Sequence, residues 1–291
     1  MNHAINHNWL PNLVFGKRSQ SSPSSSPTSP SKFSGFLSGI KDGSAFQLQL
    51  KDRVSAGKVL AMVLKTVIKR KKDEKLVVLG IPRGGVIVAD IVAEKLNADY
   101  FDIVIPRKLR APDNKENAIG AIAPDGSIVY LDDFMISSLK VSDEYIEKEK
   151  AEQLQEIKRR FGLYKQPIPT TTAASSSSLE KGEQQQQQQY PITAGKTTVL
   201  LVDDGIATGA TVIAAAKWLK TKYRPAQLII AAPVAAKQAI ETIKKENVAD
   251  MIETVTTPAN FVSVSQFYKD FDEATDEKVI EILRKRKLTE K

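Results

Sequence analysis

The sequence predicts an α/β fold in which a twisted, mostly parallel sheet is flanked by helices. Two apolar runs, Val199–Val202 and Leu76–Leu79, lack the alternation of a half-exposed strand, which indicates strands buried on both faces. Each run is followed by a glycine-containing loop and then by apolar residues at helical spacing. Parallel strands joined by helices need right-handed crossovers, so helices must cover the sheet.

The other elements repeat this order of strand and helix along the chain. A long charged helix is expected near the middle, with Ile146, Leu154 and Ile157 on its narrow apolar stripe. The patterns predict helices over 54–70, from the loop at 84–85 to about 96, and over 143–164, 210–222, 236–246 and 276–286. They predict strands starting near Leu76, over 102–109 and 118–123, near 127–130, and over 228–234 and 251–255.

Composition divides the 291 residues into a tail and one domain. Residues 1–42 form a basic, Ser/Pro-rich tail without an acidic residue before Asp42, and we expect them to be disordered. Residues 43–291 form the domain, interrupted at about 167–194 by a Ser/Gln-rich insert that we expect to be a surface loop distant from the chemistry. We expect a cytoplasmic protein, although the acid-free tail leaves organelle targeting open.

Residue usage excludes several classes of site. The chain has no cysteine, which excludes disulfides, thiolate metal sites and cysteine nucleophiles. Its two histidines, His3 and His7, lie in the tail, which argues against a Ser-His-Asp hydrolase. The net charge is +8, and the residues before Asp42 carry half of it, so we expect no nucleic-acid partner. No apolar run reaches about 18 residues, so we expect no membrane partner.

The most informative stretch runs from Val199 to Thr211. The paired carboxylates of Asp203 and Asp204 follow directly on the buried strand, at the edge where ligands bind in open α/β sheets. These carboxylates suit sugar hydroxyls or a hard cation such as Mg²⁺. The loop then brings hydroxyls and backbone N–H groups to a helix N-terminus, which suits a phosphate monoester. The loop residues concerned are Gly205, Ala207, Thr208, Gly209, Ala210 and Thr211.

Two further segments carry basic residues beside strands. Arg83, Gly84 and Gly85 follow the strand at Leu76, where open backbone and a guanidinium suit an anion. A strand delivers Arg107 and Lys108 to the same sheet edge, and a polar loop over 110–117, the flap loop, follows it. The alternative for the segment with Arg107 and Lys108 is a solvated hairpin whose charges serve only solubility.

The thirteen residues 199–211 resemble the signature of the type I phosphoribosyltransferases, which bind phosphoribosyl pyrophosphate (PRPP), and the resemblance extends over about residues 46–283. It implies a 5′-phosphate on Thr208, Gly209 and Thr211, and ribose hydroxyls on Asp203 and Asp204, which are also the candidate Mg²⁺ ligands. It implies a magnesium pyrophosphate near Arg83, Gly84, Arg107 and Lys108, and a non-proline cis peptide bond near Arg83.

The resemblance also implies a mobile flap and a hood over the acceptor. Glu116 in the flap loop is the candidate general base, with Asp113 as competitor and a plain surface acid as the alternative. We define the hood segment as residues 257–271, in which Phe267 or Tyr268 would stack on a base or else pack in the core. Ala207 stands where 6-oxopurine salvage enzymes have Asp, which counts against hypoxanthine and guanine.

The predicted function is transfer of 5-phosphoribosyl from PRPP to a nucleobase or similar nitrogen nucleophile, with release of pyrophosphate and a role in nucleotide salvage. One alternative is a PRPP-sensing regulatory protein without catalysis, although no helix-turn-helix pattern precedes Val54. Another is a hydrolase or phosphorylase acting on ribose phosphates. Homodimers are common in the family, so we keep a homodimer as an expectation by analogy.

Overall fold

The computed structural model describes residues 14–15, 48–115, 117–165 and 189–289. In chain order the elements are β1 (Val14–Phe15), β2 (Leu48–Gln49), α1 (Arg53–Val67), β3 (Lys75–Gly80), α2 (Gly84–Leu96), β4 (Tyr100–Ile103), β5 (Arg107–Arg110), β6 (Ala118–Ile122), β7 (Ile128–Leu131), α3 (Asp133–Ser138), α4 (Asp143–Tyr164), β8 (Thr197–Val202), α5 (Ala210–Tyr223), β9 (Gln227–Val234), α6 (Lys237–Glu246), β10 (Met251–Thr256), a 3-10 helix (Val264–Phe267) and α7 (Asp276–Thr289).

Most of the predicted tail, most of the Ser/Gln insert and Glu116 lie outside the described residues. The short strand β1 lies in the tail and pairs antiparallel with β2, which follows the tail. The sequence did not predict this strand pair. None of the helices in the described ranges combines the length and apolar character needed to cross a membrane.

A five-stranded parallel sheet with strand order β10–β9–β8–β3–β4 forms the centre of the fold, as predicted. Successive residues of its strands face opposite apolar layers. In β8, Leu200 and Val202 pack in a layer with α1, α2 and α7, whereas Val199 and Leu201 pack in a layer with α5 and α6. Burial on both faces explains why these strands are continuous apolar runs.

The single strand predicted over 102–109 is wrong. The chain instead forms β4 in the parallel sheet and β5 in a separate antiparallel sheet of order β5–β6–β7. Pro106 lies between the two strands and has no N–H to donate to a ladder, so the strand cannot continue through it. Arg107 and Lys108 therefore belong to the antiparallel sheet and not to the edge that carries Asp203.

The predicted helices are confirmed to within a few residues, and α4 has the predicted bounds. Its first turn is capped by the Ser142 side chain, which accepts a hydrogen bond from the Tyr145 N–H at 3.2 Å. Two short elements were not predicted, α3 and the 3-10 helix, because four to six residues are too few to show a helical period.

Candidate active site

The two predicted loops meet at the carboxyl ends of the neighbouring strands β3 and β8. The Ile81 N–H donates to the Val202 carbonyl oxygen at 2.9 Å, which extends the pairing of the strands into the loops. A Cβ atom at Gly85 would lie 2.8 Å from the Asp203 Cα, so the two backbones approach as only glycine permits. The Pro82–Arg83 peptide bond is cis, which confirms the non-proline cis bond expected there.

Asp203 and Asp204 lie side by side in partly buried positions. The Asp203 carboxylate accepts a hydrogen bond from the Asp204 N–H at 2.9 Å. Burial, followed by the nearby Asp204 carboxylate, raises the pKa of Asp203 well above its usual range. A cation or the hydroxyls of a diol, bound at Asp203, would stabilise its charged form, and groups with such raised pKa values are frequent at functional sites.

Asp204 is held by a residue that the sequence did not single out. Its Oδ2 atom lies 2.6 Å from Arg53 Nε, and the two side chains are only 16% and 11% exposed. Arg53 Nη1 also donates to the Asp272 carbonyl oxygen at 2.6 Å, and its guanidinium lies 3.9 Å from the centre of the Phe271 ring. Arg53 is 151 residues from Asp204 in sequence. The local sequence marks only the start of α1, through the Asp52 cap, and not the contact with Asp204.

The loop after β8 has the geometry of an anion site. Gly209 has a φ of +85°, and α5 begins at the next residue, Ala210. Thr208 is exposed, and its hydroxyl accepts a hydrogen bond from the Ala210 N–H at 3.4 Å. The first N–H groups of a helix lack intrahelical acceptors, so this turn presents donors and hydroxyls together. Thr211 lies half-buried in the same turn.

Gly205 brings this loop against the hood segment. A Cβ atom at Gly205 would lie 2.3 Å from Val264 Cγ1, the first residue of the 3-10 helix. The Tyr268 hydroxyl donates to the Asp204 carbonyl oxygen at 2.6 Å. The hood segment therefore contacts the signature loop through both a close apolar contact and a hydrogen bond.

The two aromatic residues proposed as base-stacking platforms are both buried. Phe267 is 2% exposed and stacks on Phe261 with ring centres 5.5 Å apart, and Tyr268 is 4% exposed. Burial raises the pKa of Tyr268 above its usual value. The structure matches the alternative that these rings pack in the core, because a stacking platform needs an open ring face.

Arg83 lies on the α2 side of the loop after β3. Its Nη2 atom lies 2.8 Å from Glu273 Oε1, and its side chain is 33% exposed. A guanidinium paired with an exposed carboxylate can exchange that partner for a phosphate at little cost.

Arg107 and Lys108 lie on opposite faces of β5. Arg107 Nε donates to Gln153 Oε1 of α4 at 2.8 Å, and burial, followed by the charge of Arg160, lowers the pKa of Arg107. Lys108 is paired with Ala121 of β6, whose side chain packs with the first turns of α5. Because opposed residues of paired strands share a face, Lys108 lies on the α5 side of β5 and Arg107 lies on the α4 side.

The flap loop is anchored at its first residue. Arg110 donates to Glu149 through Nε at 2.6 Å and through Nη2 at 2.8 Å, and Glu149 is 4% exposed. The Tyr145 hydroxyl donates to the Arg110 carbonyl oxygen at 3.1 Å. The start of the flap loop is therefore fixed on α4. Glu116, the candidate general base in this loop, lies outside the described residues.

Comparison with known proteins assigns the chain to a family. A family model described as a phosphoribosyl transferase domain matches residues 135–272, which include the signature and the hood segment. Two Mycobacterium tuberculosis proteins, provisionally named as phosphoribosyl transferases, are each 32% identical over 234 residues, which is 80% of this chain and 46% of theirs. The chain belongs to the type I phosphoribosyltransferase family.

A solved structure gives a second likeness over most of the chain. The crystal structure of a protein from Thermus thermophilus is 33% identical, with a TM-score of 0.60, and the match covers 82% of this chain and 99% of that one. The family resemblance of residues 199–211 is confirmed by the family model, which covers them. The chain spans about half the length (46%) of the curated relatives it matches.

Proposed function

We propose that this protein transfers the 5-phosphoribosyl group of PRPP to a nucleobase or a similar nitrogen nucleophile and releases pyrophosphate. One observation carries the proposal. The paired carboxylates of Asp203 and Asp204 touch the Gly84–Gly85 loop at the carboxyl ends of β8 and β3. A diol site on these carboxylates would thus lie between the two proposed anion sites, which is the order of groups in PRPP.

The 5′-phosphate would bind at the start of α5. Thr208, Gly209 and Thr211 supply hydroxyls and backbone N–H groups there, with Gly205, Ala207 and Ala210 completing the loop. The helix dipole adds a further attraction for the anion. The ribose hydroxyls would then reach the Asp203 and Asp204 carboxylates at the other end of the same loop.

The pyrophosphate would bind on the loop after β3. Gly84 and Gly85 open α2, where the first N–H groups lack intrahelical acceptors, and Arg83 would exchange Glu273 for a phosphate oxygen. Lys108 lies on the appropriate face of β5 to assist. The pyrophosphate-binding role expected for Arg107 stays a prediction. Its guanidinium donates to Gln153 and would have to leave that partner to bind a phosphate.

The residues fit a magnesium ion that is held mainly by the substrate. No group of three or more acidic or histidine side chains in the described ranges could hold a metal by itself. Mg²⁺ commonly takes one or two carboxylates and completes its shell with phosphates and water, and Asp203 is the carboxylate less engaged by Arg53. When bound, the ion would neutralise charge on the departing pyrophosphate.

The chain's own residues would stabilise the separation of charge at the ribose C1. Cleavage there passes through an oxocarbenium-like state, and the carboxylates of Asp203 and Asp204 would favour its positive charge. Arg83 and Lys108 would favour the negative charge of the leaving pyrophosphate. Closure of the flap loop would exclude water, with Glu116 or Asp113 receiving the proton of the nucleophile.

An assay of pyrophosphate release tests this proposal. The protein is incubated with PRPP and Mg²⁺, first alone and then with adenine, uracil, hypoxanthine or guanine, and the products are separated. We expect release that depends on one acceptor, with adenine or uracil favoured because Ala207 replaces the acid of 6-oxopurine enzymes. Release without an acceptor would indicate a hydrolase, and binding without release would indicate a PRPP sensor.

A further inference from the structure

Arg53 connects the signature carboxylate to the hood segment. Its Nε atom lies 2.6 Å from Asp204 Oδ2, while its Nη1 atom donates to the Asp272 carbonyl oxygen at 2.6 Å. The same guanidinium stacks on the Phe271 ring at 3.9 Å. One planar cation therefore contacts both the predicted ribose site and the end of the hood segment.

The backbone around Arg53 is joined to the same segment. The Leu50 N–H donates to the Phe267 carbonyl oxygen at 2.8 Å, and the Lys269 N–H donates to the Leu50 carbonyl oxygen at 2.8 Å. The Asp270 N–H donates to the Lys51 carbonyl oxygen, also at 2.8 Å. The chain that leads into α1 is thus hydrogen-bonded to the hood segment, and the Arg53 side chain reaches from it to Asp204.

The pyrophosphate loop also contacts this pair. A Cβ atom at Gly84 would lie 1.8 Å from Asp204 Oδ2 and 2.7 Å from Arg53 Nε. Both side chains are largely buried and are paired with each other, so a displacement of either from Gly84 would disturb the ion pair. Three segments that the chain keeps far apart in sequence converge at this point: residues 50–53, the Gly84 loop and the signature loop.

We propose that Arg53 is a positioning residue that fixes the Asp204 carboxylate against Gly84 and couples the order of the hood segment to the ribose site. This inference rests on the proposed function for its effect on PRPP, but the coupling of the hood segment to Asp204 needs no substrate. The planar fork of Arg53 serves two acceptors at once, which a lysine ammonium reproduces only in part.

The test compares Arg53→Met and Arg53→Lys with the wild type and with the control Arg70→Met. Arg70 pairs with Asp99 beyond the C-terminal end of α1 and is 32% exposed, so the control removes a cation away from the site. Hydrogen–deuterium exchange of residues 257–271 is measured without substrate, and PRPP affinity is measured by calorimetry with Mg²⁺. Arg53→Met and Asp204→Asn are also combined in one chain.

We expect Arg53→Met to speed exchange in the hood segment and to weaken PRPP binding by about tenfold or more. Arg53→Lys should be intermediate, and it carries the comparison if Arg53→Met does not fold. The effects of Arg53→Met and Asp204→Asn on PRPP affinity should be far from additive, because both substitutions remove the same ion pair.

Wild-type exchange and wild-type PRPP affinity in a folded Arg53→Met protein would overturn the inference. Additive effects in the double variant would also overturn it. A wild-type protein that binds no PRPP, but whose hood exchange depends on Arg53, would support the positioning role and overturn the proposed transfer reaction. The two proposals can therefore fail separately.

Discussion

Gly84 lies so close to Asp204 that a Cβ atom at position 84 would be 1.8 Å from the Asp204 Oδ2 atom. No side chain can occupy this position while the carboxylate keeps its place, since contacts between non-bonded heavy atoms are optimal at about 3.5 Å or more. The requirement for glycine at the N-terminus of α2 is therefore set by the opposite loop and not by the conformation of its own backbone.

Gly84→Ala should separate the two loops and weaken PRPP binding by about tenfold or more. Gly162→Ala is the matched control, because a Cβ atom at Gly162 in α4 would meet no heavy atom within 4 Å. We expect that control to bind PRPP normally and to gain about 0.5–1 kcal/mol of unfolding free energy, the usual gain for alanine within a helix. Calorimetry and urea unfolding measure both quantities, and equal PRPP affinity in the two variants would contradict the close contact.

Asp204→Asn should reduce kcat by about 10²–10³ while leaving the fold intact. The amide oxygen can still accept the hydrogen bond from Arg53, so Tm should change by less than about 4 °C. What is lost is the negative charge beside the developing positive charge of the ribose. Asp270→Asn removes an exposed carboxylate of the hood segment and should leave turnover unchanged. Wild-type kcat in Asp204→Asn would rule out this role for the carboxylate.

Lys108→Met and Arg107→Met should affect different properties, because the two side chains lie on opposite faces of β5. Lys108→Met should lower turnover and should change the unfolding free energy less than Arg107→Met does. Arg107→Met should lower the unfolding free energy by about 1–3 kcal/mol, because it leaves the Oε1 atom of Gln153 without this donor, and Gln153 is 2% exposed.

Steady-state kinetics and chemical denaturation on both variants separate the two roles. If Arg107 holds pyrophosphate, as the resemblance implies, Arg107→Met will also raise the KM for PRPP. A loss of turnover in Arg107→Met that equals the loss in Lys108→Met would contradict the assignment of Lys108 to turnover and of Arg107 to stability.

Much of this fold could be predicted from sequence because its strands are buried on both faces. Continuous apolar runs such as Val199–Val202 fix the strands, and the glycines beside them mark the loops. The break at Pro106 was missed because Val104 and Ile105 are apolar on either reading, so the run looks continuous across two sheets.

The site could be predicted only where one local motif contains it. Asp203, Asp204 and the loop to Thr211 lie within thirteen residues, so their meeting needs no long-range information. Arg53 reaches Asp204 across 151 residues, and nothing in its neighbours indicates that contact. The same limit applies to Phe267 and Tyr268, whose burial depends on distant segments and not on their own spacing.

Removal of most of the Ser/Gln insert should leave the fold intact. Both flanks are anchored on β4 without it, since Lys165 forms an ion pair with the buried Asp102 and the Tyr190 hydroxyl donates to the Ile103 carbonyl oxygen at 2.7 Å. Replacing residues 168–187 by a short Gly/Ser linker should shift Tm by less than about 4 °C and leave PRPP binding unchanged.

Tyr190→Phe serves as the comparison for the deletion. It removes the anchoring hydrogen bond and should lower the unfolding free energy by about 1 kcal/mol. Differential scanning calorimetry measures both variants. A deletion that unfolds the domain or abolishes PRPP binding would place the insert in the core or at the site, against the expectation of a distant surface loop.

Calorimetric titration of PRPP with Mg²⁺ into the wild type and into Asp203→Ala/Asp204→Ala tests the central claim most directly. We predict wild-type binding with a Kd of about 1 μM to 1 mM, the usual range for enzyme substrates, and no binding in the double variant. Wild-type protein that does not bind PRPP, or a double variant that binds it equally well, would contradict the assignment of Asp203 and Asp204 to a PRPP site.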